Sequence, residues 1–233
     1  MCGRFNVTSD PLSQLLMELV GMTHPGPDNF NAAPTEMITV LRLDEAGDPE
    51  LVPMRWWLTP YWTKAPSSKY SMFNAKSETA HKSPAFREPF KRRHCVVPVS
   101  GFYEWARLQG QKLPYYIKPH DTHGLLLAGL WDRWRNADTG EVMESFAVLT
   151  SAATQSMQFV HKRQPVMLGL VEAHRWLDNG FTDFEALLSS HLPVALDAIP
   201  VSTYVNNARN KDTRCVEPIG TPVLLTPVGG ETA

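Results

Sequence analysis

The chain has 233 residues, 43 % of them apolar, with a net charge of −2 and only three cysteines. That length supports one large domain or two small ones around a real core, and no apolar run is long enough to span a membrane. Cys2, Cys95 and Cys215 are far apart and form no C-x-x-C pair, which argues against a disulfide framework and against a structural zinc site. The start has no basic segment followed by an apolar one, so the expectation is a cytoplasmic protein.

Met1-Cys2-Gly3-Arg4-Phe5 opens the chain. With Met1 removed, Cys2 carries a free α-amine (pKa about 7.7–8.0) beside its thiol (about 8.5), both partly deprotonated near neutrality. Such a 1,2-aminothiol can attack an aldehyde twice, first as a Schiff base and then by closing a thiazolidine ring. Taken alone, the terminus is better explained as an accident of the gene start.

Asp10-Pro11 reads as a helix start, followed by Leu12, Leu15, Leu16, Leu19 and Val20 at helical spacing and a stop at Gly21. Asn31-Ala32-Ala33-Pro34-Thr35 leads into a strand, Met37–Leu43. A turn at residues 44–48 brings back a second strand, Glu50–Trp57, in which Pro53 suggests an edge or bulge. Residues 59–71 hold two prolines, paired serines and three aromatics, and read as a long surface loop. Short helices are predicted from Ser77 and from Pro84 to about Lys91. Strands follow at Cys95–Val99, at the hairpin Gly101–Arg107/Leu113–Lys118, and at Leu125–Trp131, Val142–Thr150 and Gln164–Leu168. Helices at Val171–Leu177 and Asp183–Ser189 and strands near Ile199–Val205 and Val223–Thr226 complete the chain. Strands outnumber helices, without βαβ alternation or a Gly-rich phosphate loop. The expected fold is therefore α+β: a single domain over 1–228, with a mostly antiparallel, barrel-like sheet and peripheral helices. Residues 229–233 are expected to form a disordered tail.

Charge and aromatics are concentrated in one stretch. Residues 55–93 carry nine Lys/Arg against two acids, a local +7 in a chain of net −2, together with eight aromatics. Cations attract phosphates and exposed rings stack on unpaired bases, so the combination favours single-stranded nucleic acid. A solvated basic face over core aromatics is the competing explanation.

Three polar residues stand in unusual surroundings. Glu104, within Phe102-Tyr103-Glu104-Trp105, suits acid–base work if buried. Alternation places Phe102, Glu104 and Ala106 on one face, so an outward residue paired with a lysine fits equally. His161 lies in an irregular basic turn before a strand, a usual setting for a reactive histidine. Asn74 precedes a helix, where capping is the ordinary explanation.

Taken together, these segments resemble the SRAP family, the SOS-response-associated peptidase or abasic-site processing proteins. The matching pieces are Met1-Cys2-Gly3-Arg4-Phe5, Asn31-Ala32-Ala33-Pro34-Thr35, the Arg55–Trp62 region, Asn74-Ala75-Lys76-Ser77-Glu78-Thr79, Gly101-Phe102-Tyr103-Glu104-Trp105, Ala128-Gly129-Leu130-Trp131 and His161-Lys162-Arg163-Gln164-Pro165. Pro200-Val201-Ser202 and Val205-Asn206 match more loosely. The resemblance implies the SRAP fold and a sensor of abasic DNA in which the processed Cys2 forms a thiazolidine crosslink with the ring-opened sugar. By the same resemblance, Asn74 holds the Cys2 amine and the sugar, Glu104 shuttles protons, and His161 assists Schiff-base formation. Arg4, Lys76 and Arg163 hold phosphates, Thr150 lines the site, and Tyr61 and Trp62 wedge against bases beside the lesion. The expected partner is single-stranded DNA or a single-strand/duplex junction containing abasic sites. The expected protein is a monomer, nucleoid-associated in a bacterium, without metal, cofactor or membrane. Lys76 departs from the family's usual arginine, Lys162 from an aspartate, Gln164 from an apolar or basic residue, and Trp57 from a glycine. Two rivals remain: a hydrolase or peptidase using the N-terminal cysteine as nucleophile, and a non-catalytic single-stranded DNA module.

Overall fold

The computed structural model describes residues 2–227 except Ser68, Gln109, Asn179 and Phe181; the predicted tail lies outside the described residues. In chain order the elements are β1 (Phe5–Val7), α1 (Ser9–Val20), β2 (Asn29–Ala32), β3 (Met37–Leu43), β4 (Pro49–Trp56), β5 (Asn74–Lys76), α2 (Ser77–Ala80) and α3 (Arg87–Arg92). Then follow β6 (His94–Val99), β7 (Gly101–Leu108), β8 (Gln111–Pro119), β9 (Leu125–Arg135), β10 (Val142–Ala152), β11 (Arg163–Pro165), β12 (Met167–Leu168), α4 (Leu170–Leu177), β13 (Leu196–Pro200) and β14 (Val223–Leu225). Single 3₁₀ turns occupy Gln155–Met157, Thr203–Asn206 and Thr213–Val216.

The fold is α+β. Strands β10, β4, β3, β6 and β9 pair in that order, and β9 pairs back onto β10, closing a five-stranded barrel. Within the barrel only the β4–β10 pairing is parallel, and it covers just Arg55 and Trp56 of β4. Pro53 thus falls on the part of β4 that pairs with β3 alone, where its missing N–H costs no ladder bond. Past Phe146 the chain's own return, β5, takes β4's place beside β10. The loop 57–73 is therefore inserted between two segments that dock on the same strand. A second, wholly antiparallel sheet runs β14-β13-β8-β7-β1-β2.

Burial holds the two sheets together. Phe5 of β1 stacks on Trp56 of β4 at 3.9 Å, and Trp56 stacks in turn over Phe146. Phe102, Ala106 and Ile117 join the barrel residues in one core. The opposite face of the hairpin, Tyr103, Tyr116 and Trp105, packs beneath Ile199, Val201, Val205 and Cys215. Both faces of β7 are consequently covered.

Several predicted boundaries move. Helix α1 begins at Ser9, whose N–H donates to Asp28 Oδ1 at 2.7 Å, so Asp28 and not Asp10 serves the exposed helix end. The helix after Pro84 starts at Arg87, preceded by hydrogen-bonded turns. The predicted helix Asp183–Ser189 is a run of turns with one helical bond, Leu188 N–H to Phe184 C=O. Phe184 is anchored edge-on to Phe90, His94 and Trp176, so tertiary packing sets the path of this segment. The strand expected near Ile199–Val205 runs from Leu196 to Pro200 and gives way to a 3₁₀ turn capped by Ser202. Among the described residues no helix is long and apolar enough to cross a membrane.

Candidate active site

Four elements converge where the chain begins. Strand β1 lies between β2 and β7, with Phe5 opposite Phe102 and the Tyr103 N–H donating to the Arg4 carbonyl at 3.0 Å. That register carries the segment before Arg4 alongside Glu104. Cys2 is 1 % exposed. Burial raises its thiol pKa well above the ordinary range, and the nearby Glu104 carboxylate pushes it further the same way. The resting nucleophile is therefore the neutral thiol, which needs a base before it can attack.

Asn74, at the start of β5, supplies the first contact. Its Nδ2 donates to the Cys2 carbonyl at 2.7 Å. Its Oδ1 is buried, with no hydrogen-bond partner among the described residues. A buried acceptor left open beside the Cys2 backbone is costly unless something arrives to fill it. The parallel pairing of β5 with Val148–Thr150 of β10 fixes this side chain, so capping of α2 is not its role; Lys76 occupies the cap position.

Glu104 is 2 % exposed. Alternation assigned its face correctly, but that face looks into the core, so the outward residue paired with a lysine is ruled out. Burial raises the carboxyl pKa, and His161 is close enough to draw it partly back. A carboxyl group with a raised pKa beside a thiol and an imidazole can pass a proton in either direction.

His161 sits in the turn between Met157 and β11. Its Nδ1 lies 3.0 Å from both the N–H and the C=O of Arg163, which pins the ring. The turn itself is tied down by Gln164, whose buried amide accepts from Thr154 N–H and donates to His191 C=O, each at 2.8 Å. The departure at Gln164 therefore serves the backbone that carries His161 and leaves Lys162 exposed beside it.

The residues expected to hold DNA divide into two groups. Tyr61 and Trp62 are 51 % and 56 % exposed. Their loop is held firmly: Trp57 Nε1 donates to Ser67 C=O, Trp134 Nε1 to Thr63 C=O, and the Tyr61 N–H to buried Asp132. Both ends of the loop meet the site, one through Trp56 against Phe5 and the other through Phe73 into Asn74. Lys76 is exposed on the same side chain row as Asn74. Arg4 and Arg163, by contrast, are engaged by protein acceptors. Arg4 donates to Asn31 Oδ1 and the Val205 C=O, both at 2.8 Å, and to Asn206 C=O at 3.2 Å. Arg163 forks onto both carboxylate oxygens of Glu78 at 2.8 and 2.9 Å and reaches the hydroxyl and carbonyl of buried Thr150. Neither Asn31 nor Glu78 stands out in the sequence, although one lies in the segment 31–35 and the other in 74–79. Among the described residues no three His, Cys, Asp or Glu side chains are grouped to hold a metal.

Fold and site together define an α+β barrel protein whose reactive groups gather around a cysteine at position 2. The chain belongs to the SRAP family, described as SOS response associated peptidase, whose model matches residues 1–208. It is 31 % identical over 229 residues to the abasic site processing protein YoqW of Bacillus subtilis, covering 93 % of this chain and 99 % of that one. It is 35 % identical over 192 residues to the abasic site processing protein HMCES of Xenopus tropicalis, covering 72 % of this chain and 57 % of that longer one. A crystal structure of a Bordetella bronchiseptica protein superposes with a TM-score of 0.76 at 27 % identity, covering 86 % of this chain and all of that one.

Proposed function

We propose that this protein captures abasic sites in single-stranded DNA through Cys2 once Met1 has been removed. The new α-amine adds to the C1 aldehyde of the ring-opened sugar. Loss of water gives a Schiff base, and the thiol adds to the imine carbon. The product is a thiazolidine in which C1 is bonded to both nitrogen and sulfur, with one water released overall. Asn74 Oδ1 accepts a hydrogen bond from the amine and so orients its lone pair. Glu104 takes the thiol proton as the ring closes and returns one as it opens. His161 protonates the departing hydroxyl. Tyr61 and Trp62 stack on bases flanking the lesion, and Lys76 neutralises phosphate.

The observation that carries this reading is the convergence of a buried thiol, an open amide acceptor and a carboxyl of raised pKa on the first residues of the chain. An N-terminal hydrolase would use the thiol but has no need of an exposed aromatic loop joined to the site at both ends.

The test is incubation of protein with verified Cys2 termini with a single-stranded oligonucleotide bearing one abasic site. A denaturation-resistant adduct should form, and should vanish in Cys2→Ala and in protein with a blocked terminus. Failure of the wild-type protein to form any adduct refutes the proposal. An adduct that survives Cys2→Ala refutes the assignment of the nucleophile.

A further inference from the structure

We propose that Glu78 is a positioning residue for this chemistry, acting through Arg163 on the imidazole of His161; the inference rests on the crosslinking function proposed above. Glu78 lies in α2, four residues after Asn74, with its carboxylate turned back to the segment that carries His161. Both its oxygens accept from Arg163, in the bidentate geometry that fixes a guanidinium in plane as well as in position. Nε and Nη2 of that guanidinium also donate to Thr150, whose hydroxyl in turn reaches the carbonyl of Ala75, the residue after Asn74. Every nitrogen of the Arg163 side chain thus has a protein acceptor, and its side chain is only 15 % exposed.

The main chain of Arg163 completes the connection. Its N–H and C=O bracket His161 Nδ1 at 3.0 Å. Carboxylate, guanidinium, backbone and imidazole are consecutive links, and the helix that starts this series directly follows the strand bearing Asn74. When Nδ1 accepts from the Arg163 N–H, the ring proton resides on Nε2. Loss of the Glu78 charge frees the fork, lets Arg163 shift along Thr150, and rotates the ring away from the Glu104 carboxyl. Misplacement of a proton donor by about 1 Å is enough to cost one to two orders of magnitude in rate. Glu78 makes no contact with the Cys2 group itself and needs none for this effect.

The experiment compares wild type, Glu78→Gln and Glu78→Asp in single-turnover crosslinking to an abasic single-stranded oligonucleotide, over a range of DNA concentrations and well below each melting temperature. Glu78→Gln should lower the saturating rate about 10-fold with the half-saturating DNA concentration unchanged. Glu78→Asp, one methylene shorter but still a carboxylate, should recover part of the rate. A saturating rate equal to wild type shows a surface ion pair only and overturns the proposal. Tighter DNA binding without loss of rate shows that Glu78 competes with phosphate for Arg163, and also overturns it. If wild type forms no adduct, the crosslinking reading fails, and the ring ¹⁵N resonances of His161 decide the positioning role by themselves. A changed tautomer or line width in Glu78→Gln supports it, and an unchanged ring refutes it.

Discussion

Replacing Glu104 by glutamine should make the protein more stable and much slower. The carboxyl is buried between Phe102 and Ala106 on the face of β7 that packs into the barrel core, and that burial raises its pKa. A fold that raises a carboxyl pKa favours the neutral form. Between the unfolded value of about 4.3 and the folded value, the unfolded chain therefore binds fewer protons than the native one. Stability falls as pH rises through that window and levels off once the folded pKa is passed. Glutamine is nearly isosteric and neutral at every pH, so the variant avoids the loss. Each kcal/mol of that difference is worth roughly 2–4 °C in Tm for a chain of this size. Thermal melts of both proteins should nearly coincide at about pH 4 and diverge above it, the variant melting higher. In the same preparations crosslinking should slow by about 10²- to 10⁴-fold, the usual contribution of a positioned acid–base group, with DNA affinity retained. A variant that melts lower than wild type at pH 8 would refute the reasoning, because its neighbours, and not burial, would then govern the carboxylate.

Three further substitutions probe the scaffold and the loop. Asn31→Ala removes a fully buried amide that accepts from Arg4 and donates to the carbonyls of Val205, Asn207 and Asn210; urea unfolding should show a loss of about 3 kcal/mol. A loss below about 1 kcal/mol would mean that water replaces it freely. Gly101→Ala places a methyl 2.5 Å from the Tyr116 ring and 2.6 Å from the Ile117 carbonyl, and should cost about 3 kcal/mol because the backbone of β8 cannot yield. Trp62→Ala should leave Tm unchanged and weaken binding of single-stranded DNA by about 1–3 kcal/mol, measured by anisotropy at fixed salt.

The hairpin β7–β8 was legible because Gly110 supplies the positive φ its turn requires and the flanking residues alternate. Alternation also placed Glu104 with Phe102 and Ala106. What it could not supply was the covering of both faces of β7, since Val205 and Cys215 reach the outer face from a segment some hundred residues later. The same limit applies to the aromatics of residues 55–93. Trp56 and Trp62 are indistinguishable by type, yet one is the last residue of a barrel strand and the other lies in an exposed loop. Asn31 and Glu78 escaped notice because their chemistry is relational: Asn31 meets Val205 across 174 positions and Glu78 meets Arg163 across 85. Cys2, Asn74, Glu104 and His161 could be named from motif order, but only the fold brings them into one site.

The distribution of cations explains why lysine at position 76 is compatible with the proposed function. Arg4 and Arg163 each satisfy several fixed acceptors at once, a task for a planar fork with five donors in rigid geometry. Arg4 thereby ties the start of the chain to Asn31 and to residues 205–206, and Arg163 ties His161 to Glu78 and Thr150. A side chain so occupied is poorly placed to follow a flexible strand. Lys64, Lys69, Lys76 and Lys82 are all exposed, and each presents a compact charge on a mobile stem. Phosphates of single-stranded DNA occupy no single rigid position, so point charges track them with less loss of freedom than a fork that must keep its plane. Under the proposed function, this division would leave the arginines to fix the geometry of the reacting groups and the lysines to attract the strand. Lys76, one residue pair along β5 from Asn74, stands where the two roles meet.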